Sequence, residues 1–79
     1  MKLSHDIGAS QLIKSLAKFG YSQTRQSGSH IRLTTHHLGE HHVTIPNHDP
    51  LKIGTLNAIL SEVAQHLNLS KAELIKELF

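Results

Sequence analysis

Seventy-nine residues with 38% hydrophobic and 4% aromatic content supply one small core and not two, so the chain reads as a single domain over residues 1–79. A domain of this size buries only about 60% of its unfolded surface and gains from association. Cysteine is absent, which excludes a disulfide framework, a thiolate zinc site and a cysteine nucleophile and favours a reducing compartment. The net charge is +2 with eight histidines in reserve, and these can add positive charge as the pH falls toward about 6.5. Asp6, Glu40 and Asp49 are the only acids before residue 60, against six Lys and Arg, so contact with a polyanion is expected in the N-terminal two-thirds.

The opening Met1-Lys2-Leu3-Ser4-His5-Asp6-Ile7-Gly8 has no apolar core of a signal peptide, and no stretch approaches the roughly 18 apolar residues of a membrane span. The expectation is a soluble, cytoplasmic protein with no membrane partner. From Ala9 to Phe19, Leu12, Ile13, Leu16, Ala17 and Phe19 fall on one helical face opposite Lys14, Ser15 and Lys18. Gly8 or Ser10 can cap this first helix, and Gly20 supplies a left-handed stop.

Tyr21 to Gln26 is polar but alternating and rich in strand-favouring residues, and Ser27-Gly28-Ser29 turns it. His30 to Thr35 alternates more clearly, with Ile31 and Leu33 on one face and His30, Arg32 and Thr34 on the other. After a connection containing Gly39, His41-His42-Val43-Thr44-Ile45 alternates again, and Pro46 ends it because proline donates no ladder hydrogen bond. Three strands on short loops make an antiparallel meander.

Beyond the turn residues Asn47-His48-Asp49-Pro50, Leu56, Ile59, Leu60, Val63 and Leu67 recur at helical spacing, with Asn68 as a stop. Ser70 and Glu73 form a capping box ahead of Leu74, Ile75, Leu78 and Phe79, predicting a short third helix over about 70–79 that docks either on the domain or on a partner. The fold class is therefore α+β: helix, three-stranded antiparallel sheet, helix, short C-terminal helix. If Ile31, Leu33, Val43 and Ile45 face the helices, then His30, Arg32, Thr34, His42 and Thr44 collect on the open face of the sheet. A bulge beside Ser27-Gly28-Ser29 would reassign His30.

Gln11-Leu12-Ile13-Lys14-Ser15-Leu16 through Phe19-Gly20-Tyr21, then Gly28-Ser29-His30, Val43-Thr44-Ile45-Pro46, and Gly54-Thr55-Leu56 with Ile59-Leu60 together resemble the HicA toxins, small ribonucleases of bacterial toxin-antitoxin systems. The resemblance covers nearly the whole chain, and the capped tail looks like the C-terminal extension some members carry. It implies a fold like the double-stranded RNA-binding domain, cleavage of mRNA, and a HicB-like antitoxin that covers the site. The family's active histidine, the one in Gly-Ser-His, corresponds to His30. The chain departs from the family at Ile31, where many members carry a second histidine.

The residues agree with this chemistry. Cleaving RNA through its own 2′-hydroxyl needs a base, an acid and positive charge at the phosphorus, and imidazole suits the proton transfers. His30 is the candidate base or acid; Arg32, or Arg25 across a hairpin, can hold the phosphate. Gly28 and Ser29 offer backbone N–H groups and a hydroxyl. His42 and His48 are the remaining candidates for a second proton-transfer group.

Blander readings make His30 a strand-start histidine and the arginines solvated strand charges. His36, His37, His41 and His42 around Glu40 invite a zinc or nickel reading. Adjacent strand histidines point to opposite faces, however, so the pairs do not all converge, and no metal or other cofactor is expected. The rival functions are a non-catalytic RNA-binding module of the same fold and a metal-dependent histidine-rich binding protein. Excess EDTA separates the last from a metal-independent nuclease.

Overall fold

A computed structural model describes residues 7–79, and the reading made of the opening segment lies outside the described residues except at Ile7 and Gly8. The chain runs through α1 (Ala9–Leu16), a 3-10 turn (Ala17–Phe19), β1 (Ser22–Ser27), β2 (His30–Thr35), β3 (His41–Pro46), α2 (Ile53–Leu67) and α3 (Lys71–Leu78). The three strands form one antiparallel sheet in the order β1-β2-β3. The α+β class and the element order are those expected from the sequence.

The core is built by the two periodicities. Ile31 and Leu33 from β2 and Val43 and Ile45 from β3 alternate onto one face. They join Leu12 and Leu16 of α1, Leu56, Ile59, Leu60 and Val63 of α2, and Leu74, Ile75 and Leu78 of α3 in a single buried cluster. Each fully buried Leu or Ile contributes about 1.5–3 kcal/mol by leaving water. The helices thus cover one face of the sheet, and exposed His30, Arg32 and Thr44 occupy the other.

The first helix is shorter than its apolar spacing predicts. Its last three residues tighten into the 3-10 turn, and Gly20, at φ +83°, closes it. Thr35, wholly buried, locks this junction: its hydroxyl donates to the Phe19 carbonyl at 2.9 Å and accepts from the His37 N–H at 3.1 Å. A buried hydroxyl with both roles filled carries no desolvation penalty of consequence. At α2, Asn68 takes the left-handed cap at φ +58°, a conformation that asparagine tolerates better than most residues.

The capping box of α3 is present, with the Ser70 hydroxyl accepting from the Glu73 N–H at 3.1 Å and the Glu73 carboxylate accepting from the Ser70 N–H at 2.9 Å. These two bonds hold the Glu73 carboxyl below its usual pKa. The helix docks on its own domain. Lys18 at the end of the α1 segment donates to the carbonyls of Glu77 and Leu78, at 3.3 and 3.4 Å, where cationic groups suit a helix C-terminus.

One irregularity in the sheet decides which residues reach the open face. Pairing steps from Gln23↔Leu33 to Arg25↔Arg32, leaving Thr24 as an extra residue in β1. The bulge therefore lies at Thr24 and not beside Ser27-Gly28-Ser29, and His30 keeps its outward phase opposite Ser27 and Pro46. A bulge reverses the alternation on its far side. Tyr21 is consequently turned inward to 2% exposure while Arg25 faces out, although strict alternation would put both on one face. Gln23 and Gln26 both occupy the inner face and bond to each other at 3.3 Å.

The start of α1 is laced to the segment before α2. The Ala9 N–H donates to the His48 carbonyl at 2.9 Å and the Leu51 N–H to the Ile7 carbonyl at 2.8 Å. Between these bonds Gly8 meets Asp49 so closely that an added Cβ would collide with the Asp49 carboxyl group. Gly8→Ala is therefore expected to lower stability by about 1–3 kcal/mol, the usual range for overpacking, read as a lower urea midpoint at unchanged slope.

Candidate nucleic-acid interface

The strand that carries His30 begins directly after a two-residue loop. Gly28 and Ser29 join β1 to β2, and Gly28 sits at φ +58°, the first loop position that tight hairpins give to glycine. Ser29 is held from behind, its carbonyl accepting from the Asn47 N–H at 2.6 Å. His30 is the first residue of β2, exposed, on the central strand between Ser27 and Pro46. Among the described residues its ring is tied to no other side chain.

Two positions along β2 on the same face comes Arg32, and Arg25 of β1 is its cross-strand partner. Like charges directly opposite each other are unfavourable on a sheet. Among the described residues neither guanidinium has a carboxylate within ion-pair distance. The pair is thus a doubly cationic position that an anion, above all a phosphate with its bidentate geometry, would stabilise. Gly28 and Ser29 stand at the hairpin tip on the far side of His30.

The arginines form one wall of an open depression of about 360 Å³ lined by Thr24, Arg25, Arg32, Thr34, His36, Glu40 and His42. At its floor runs a continuous chain of hydrogen bonds. The Thr24 and Thr34 hydroxyls are 2.9 Å apart, the Thr34 hydroxyl is 2.8 Å from His42 Nδ1, and His42 Nε2 is 2.8 Å from Glu40 Oε2. His36 Nδ1 approaches the other Glu40 oxygen at 4.0 Å. His30 does not line this depression, and His48 lies in the segment after β3, away from it.

The paired histidines divide as alternation requires. His42 joins the open face, whereas His41 points to the helical side. There its Nδ1 is 2.7 Å from the buried Tyr21 hydroxyl, its Nε2 is 3.2 Å from Glu62 of α2, and its ring stacks on His66 at 4.5 Å. His66 Nε2 donates to the His37 carbonyl at 2.9 Å. Among the described residues, no three metal-ligating side chains come together. Burial, with the Glu62 charge adding to it, pushes the Tyr21 hydroxyl up to about 12.

Against known families, the model described as "HicA toxin of bacterial toxin-antitoxin" matches residues 9–65. The chain belongs to the HicA toxin family. No curated protein and no solved structure matches it. The matched HicA segment takes in α1, the whole sheet and most of α2, so the open face and its depression lie inside it and α3 lies beyond it. Membership supports a toxin role for the chain. No helix among the described residues of this HicA-family chain is long and apolar enough to cross a membrane.

Of the depression residues, the sequence did not single out Thr24, and it marked His36 and Glu40 only as candidate metal ligands. Thr24 has no sequence signal because β1 contains no apolar residue to mark its phase. Glu40 and His36 sit in the β2–β3 connection, where spacing fixes no side-chain direction.

The Tyr21–His41–Glu62 cluster makes the fold of this HicA-family chain sensitive to pH. Burial lowers the His41 pKa, the stacked His66 and nearby His42 lower it further, and Glu62 opposes them. With the folded value below the ordinary one, the unfolded chain binds a proton that the folded chain refuses. The stability His41 supports is therefore complete above about pH 6.5 and lost as the pH falls below it. His41→Gln should make the urea midpoint less dependent on pH between about 7.5 and 5.5 than in the parent protein.

Proposed function

We propose that this chain is the toxin of a type II toxin-antitoxin system and acts as a metal-independent endoribonuclease on mRNA. The carrying observation is that His30 and Arg25 and Arg32, unpaired among the described residues, share the open sheet face of a chain belonging to the HicA toxin family. His30 takes the proton of a ribose 2′-hydroxyl, and the alkoxide attacks the adjacent phosphorus. The two guanidiniums hold the non-bridging oxygens and offset the charge that grows on them. The nucleophile belongs to the substrate, so the reaction asks of the protein only proton transfer and positive charge, which imidazole and guanidinium supply.

Gly28 and Ser29 at the hairpin tip extend the anion-binding edge with backbone N–H groups and a hydroxyl. The substrate places the protein's action in the cytoplasm. A HicB-like antitoxin silences it by covering the same open face, which no element of the described chain covers. A module that binds RNA through the arginines without cutting it is the alternative, and the same experiment separates the two.

That experiment is induced expression of the parent protein beside His30→Ala, with growth, mRNA integrity and soluble folding followed together. Arrest and mRNA loss are expected from the parent alone. With purified protein in excess EDTA, cleavage by His30→Ala should fall by about 10²–10⁴-fold, the usual weight of a general acid or base. Equal cleavage by both proteins would move the site away from His30. Binding without cleavage by either would favour the RNA-binding module, and activity abolished by EDTA would refute metal independence.

Arg32→Lys keeps the charge but loses the planar fork. It is expected to lower kcat/KM by about tenfold or more, measured on the same RNA at fixed ionic strength.

A further inference from the structure

Cleavage by a 2′-hydroxyl also requires a proton for the departing 5′-oxygen, and His30 supplies only one of the two transfers. The open face offers a second proton carrier at a definite place. Its residues fall into successive cross-strand rows: Ser27, His30 and Pro46; then Arg25, Arg32 and Thr44; then Ser22, Thr34 and His42. Rows two residues apart are roughly 6.5 Å from one another along a strand. The arginine row thus stands between His30 on one side and the Thr34–His42 row on the other. In-line displacement places the entering and leaving oxygens on opposite sides of phosphorus, and the two rows flanking the arginines stand on opposite sides of them.

We propose that the chain Glu40–His42–Thr34–Thr24 is the proton source for the leaving oxygen, with the Thr24 hydroxyl as the group that meets it. The inference rests on the ribonuclease reading given above. Both ring nitrogens of His42 are engaged, Nε2 with Glu40 and Nδ1 with Thr34, so a proton on Nδ1 is directed at the Thr34 hydroxyl. Thr34 is 5% exposed and passes it on to Thr24 across 2.9 Å. Thr24 is exposed, and its remaining contact is a long 3.4 Å bond to the Arg32 carbonyl, the weakest link and the one that substrate can replace. The bulge in β1 gives Thr24 this position beside Arg25.

The step balances. His30 gains the 2′-hydroxyl proton, the bond from the 2′-oxygen to phosphorus forms, and the bond from phosphorus to the 5′-oxygen breaks. Thr24 gives its proton to that oxygen, Thr34 replaces it, and His42, which enters the step protonated on both nitrogens, replaces the proton of Thr34 from Nδ1. The products are a 2′,3′-cyclic phosphate and a 5′-hydroxyl. His42 ends neutral and His30 protonated, and exchange with water resets both. Glu40 remains a carboxylate throughout and fixes the His42 tautomer through Nε2–H. The other charged or titratable groups around His42 are Arg25 and Arg32 on the same face, His36 beside Glu40, and His41 on the opposite face.

The test uses the purified chain and an RNA oligonucleotide spanning a cleavage site mapped with the parent protein. It is made once with oxygen and once with sulfur in place of the 5′-bridging oxygen, because a thiolate departs without protonation. On the oxygen substrate, His42→Gln and Thr24→Val should each be slower than the parent by about 10²-fold or more, with Thr24→Ser near parental rates. On the sulfur substrate both variants should recover to within a fewfold of the parent, and His30→Ala should remain defective on both.

Unimpaired cleavage of the oxygen substrate by His42→Gln and Thr24→Val would overturn the relay and leave the His30 reading standing. Equal loss on both substrates would assign the pair a structural role and overturn it as well. If folded parent protein cleaves no RNA at all, the ribonuclease reading itself falls. Thr24 lies on an exposed edge strand, so the Thr24→Val comparison does not depend on rescuing a disrupted core.

Discussion

The burial of four side chains, Ile31, Leu33, Val43 and Ile45, against the helices governs everything else in this molecule. Strand alternation has a period of two, so committing these residues to the core commits His30, Arg32, Thr34, His42 and Thr44 to the other side. A one-residue slip of β2 against β3 would bury His30 and Arg32 and expose Ile31 and Leu33, or bury His42 and Thr44 and expose Val43 and Ile45. Under that penalty the register is set by hydrophobic burial alone, and the polar face inherits its order without needing strong interactions of its own.

That face carries two kinds of polar group. Thr24, Thr34, His42 and Glu40 satisfy one another in a chain of short hydrogen bonds, which fixes the rotamers of the two middle members. Arg25 and Arg32 are opposed, and among the described residues neither has a carboxylate within ion-pair distance. The sheet holds two like charges together at some cost to stability, and an arrangement of this kind persists where an outside anion completes it. The helical side has a separate polar hub at Tyr21, His41, Glu62 and His66. Its role is to join β3 to α2, and it adjoins the depression along the chain at His41–His42 and, through the His66 bond to the His37 carbonyl, at His36–His37.

Much of the architecture was legible because it is enforced by local rules. Alternation located β2 and β3, helical spacing located α1 and α2, and Gly20, Asn68 and the Ser70–Glu73 box marked ends through their own backbone chemistry. Alternation also separated His41 from His42. What it does not encode is the partner each finds, since Glu62 and His66 approach from a helix whose rotation is set by packing, and Glu40 comes from a connection with no period. Phe19 looks like the end of a regular helix in the sequence, and the tightening after Leu16 is a tertiary effect of the Thr35 contact. The least legible feature is the bulge. β1 is polar throughout, so no apolar residue announces which face each position serves, and Tyr21 and Arg25 read as same-face neighbours.

The bulge gives β1 a different kind of tolerance from the rest of the sheet. All six of its side chains are exposed, so identity at most positions is loosely held. Its length is not. Losing one residue between Tyr21 and Arg25 would restore a regular ladder and rotate everything before it by half a turn, carrying the Tyr21 ring out of the core or the Arg25 guanidinium away from its partner. Drift among relatives in this strand should therefore run through replacement and avoid insertion and deletion, and an alignment that opens a gap there has its strands out of phase.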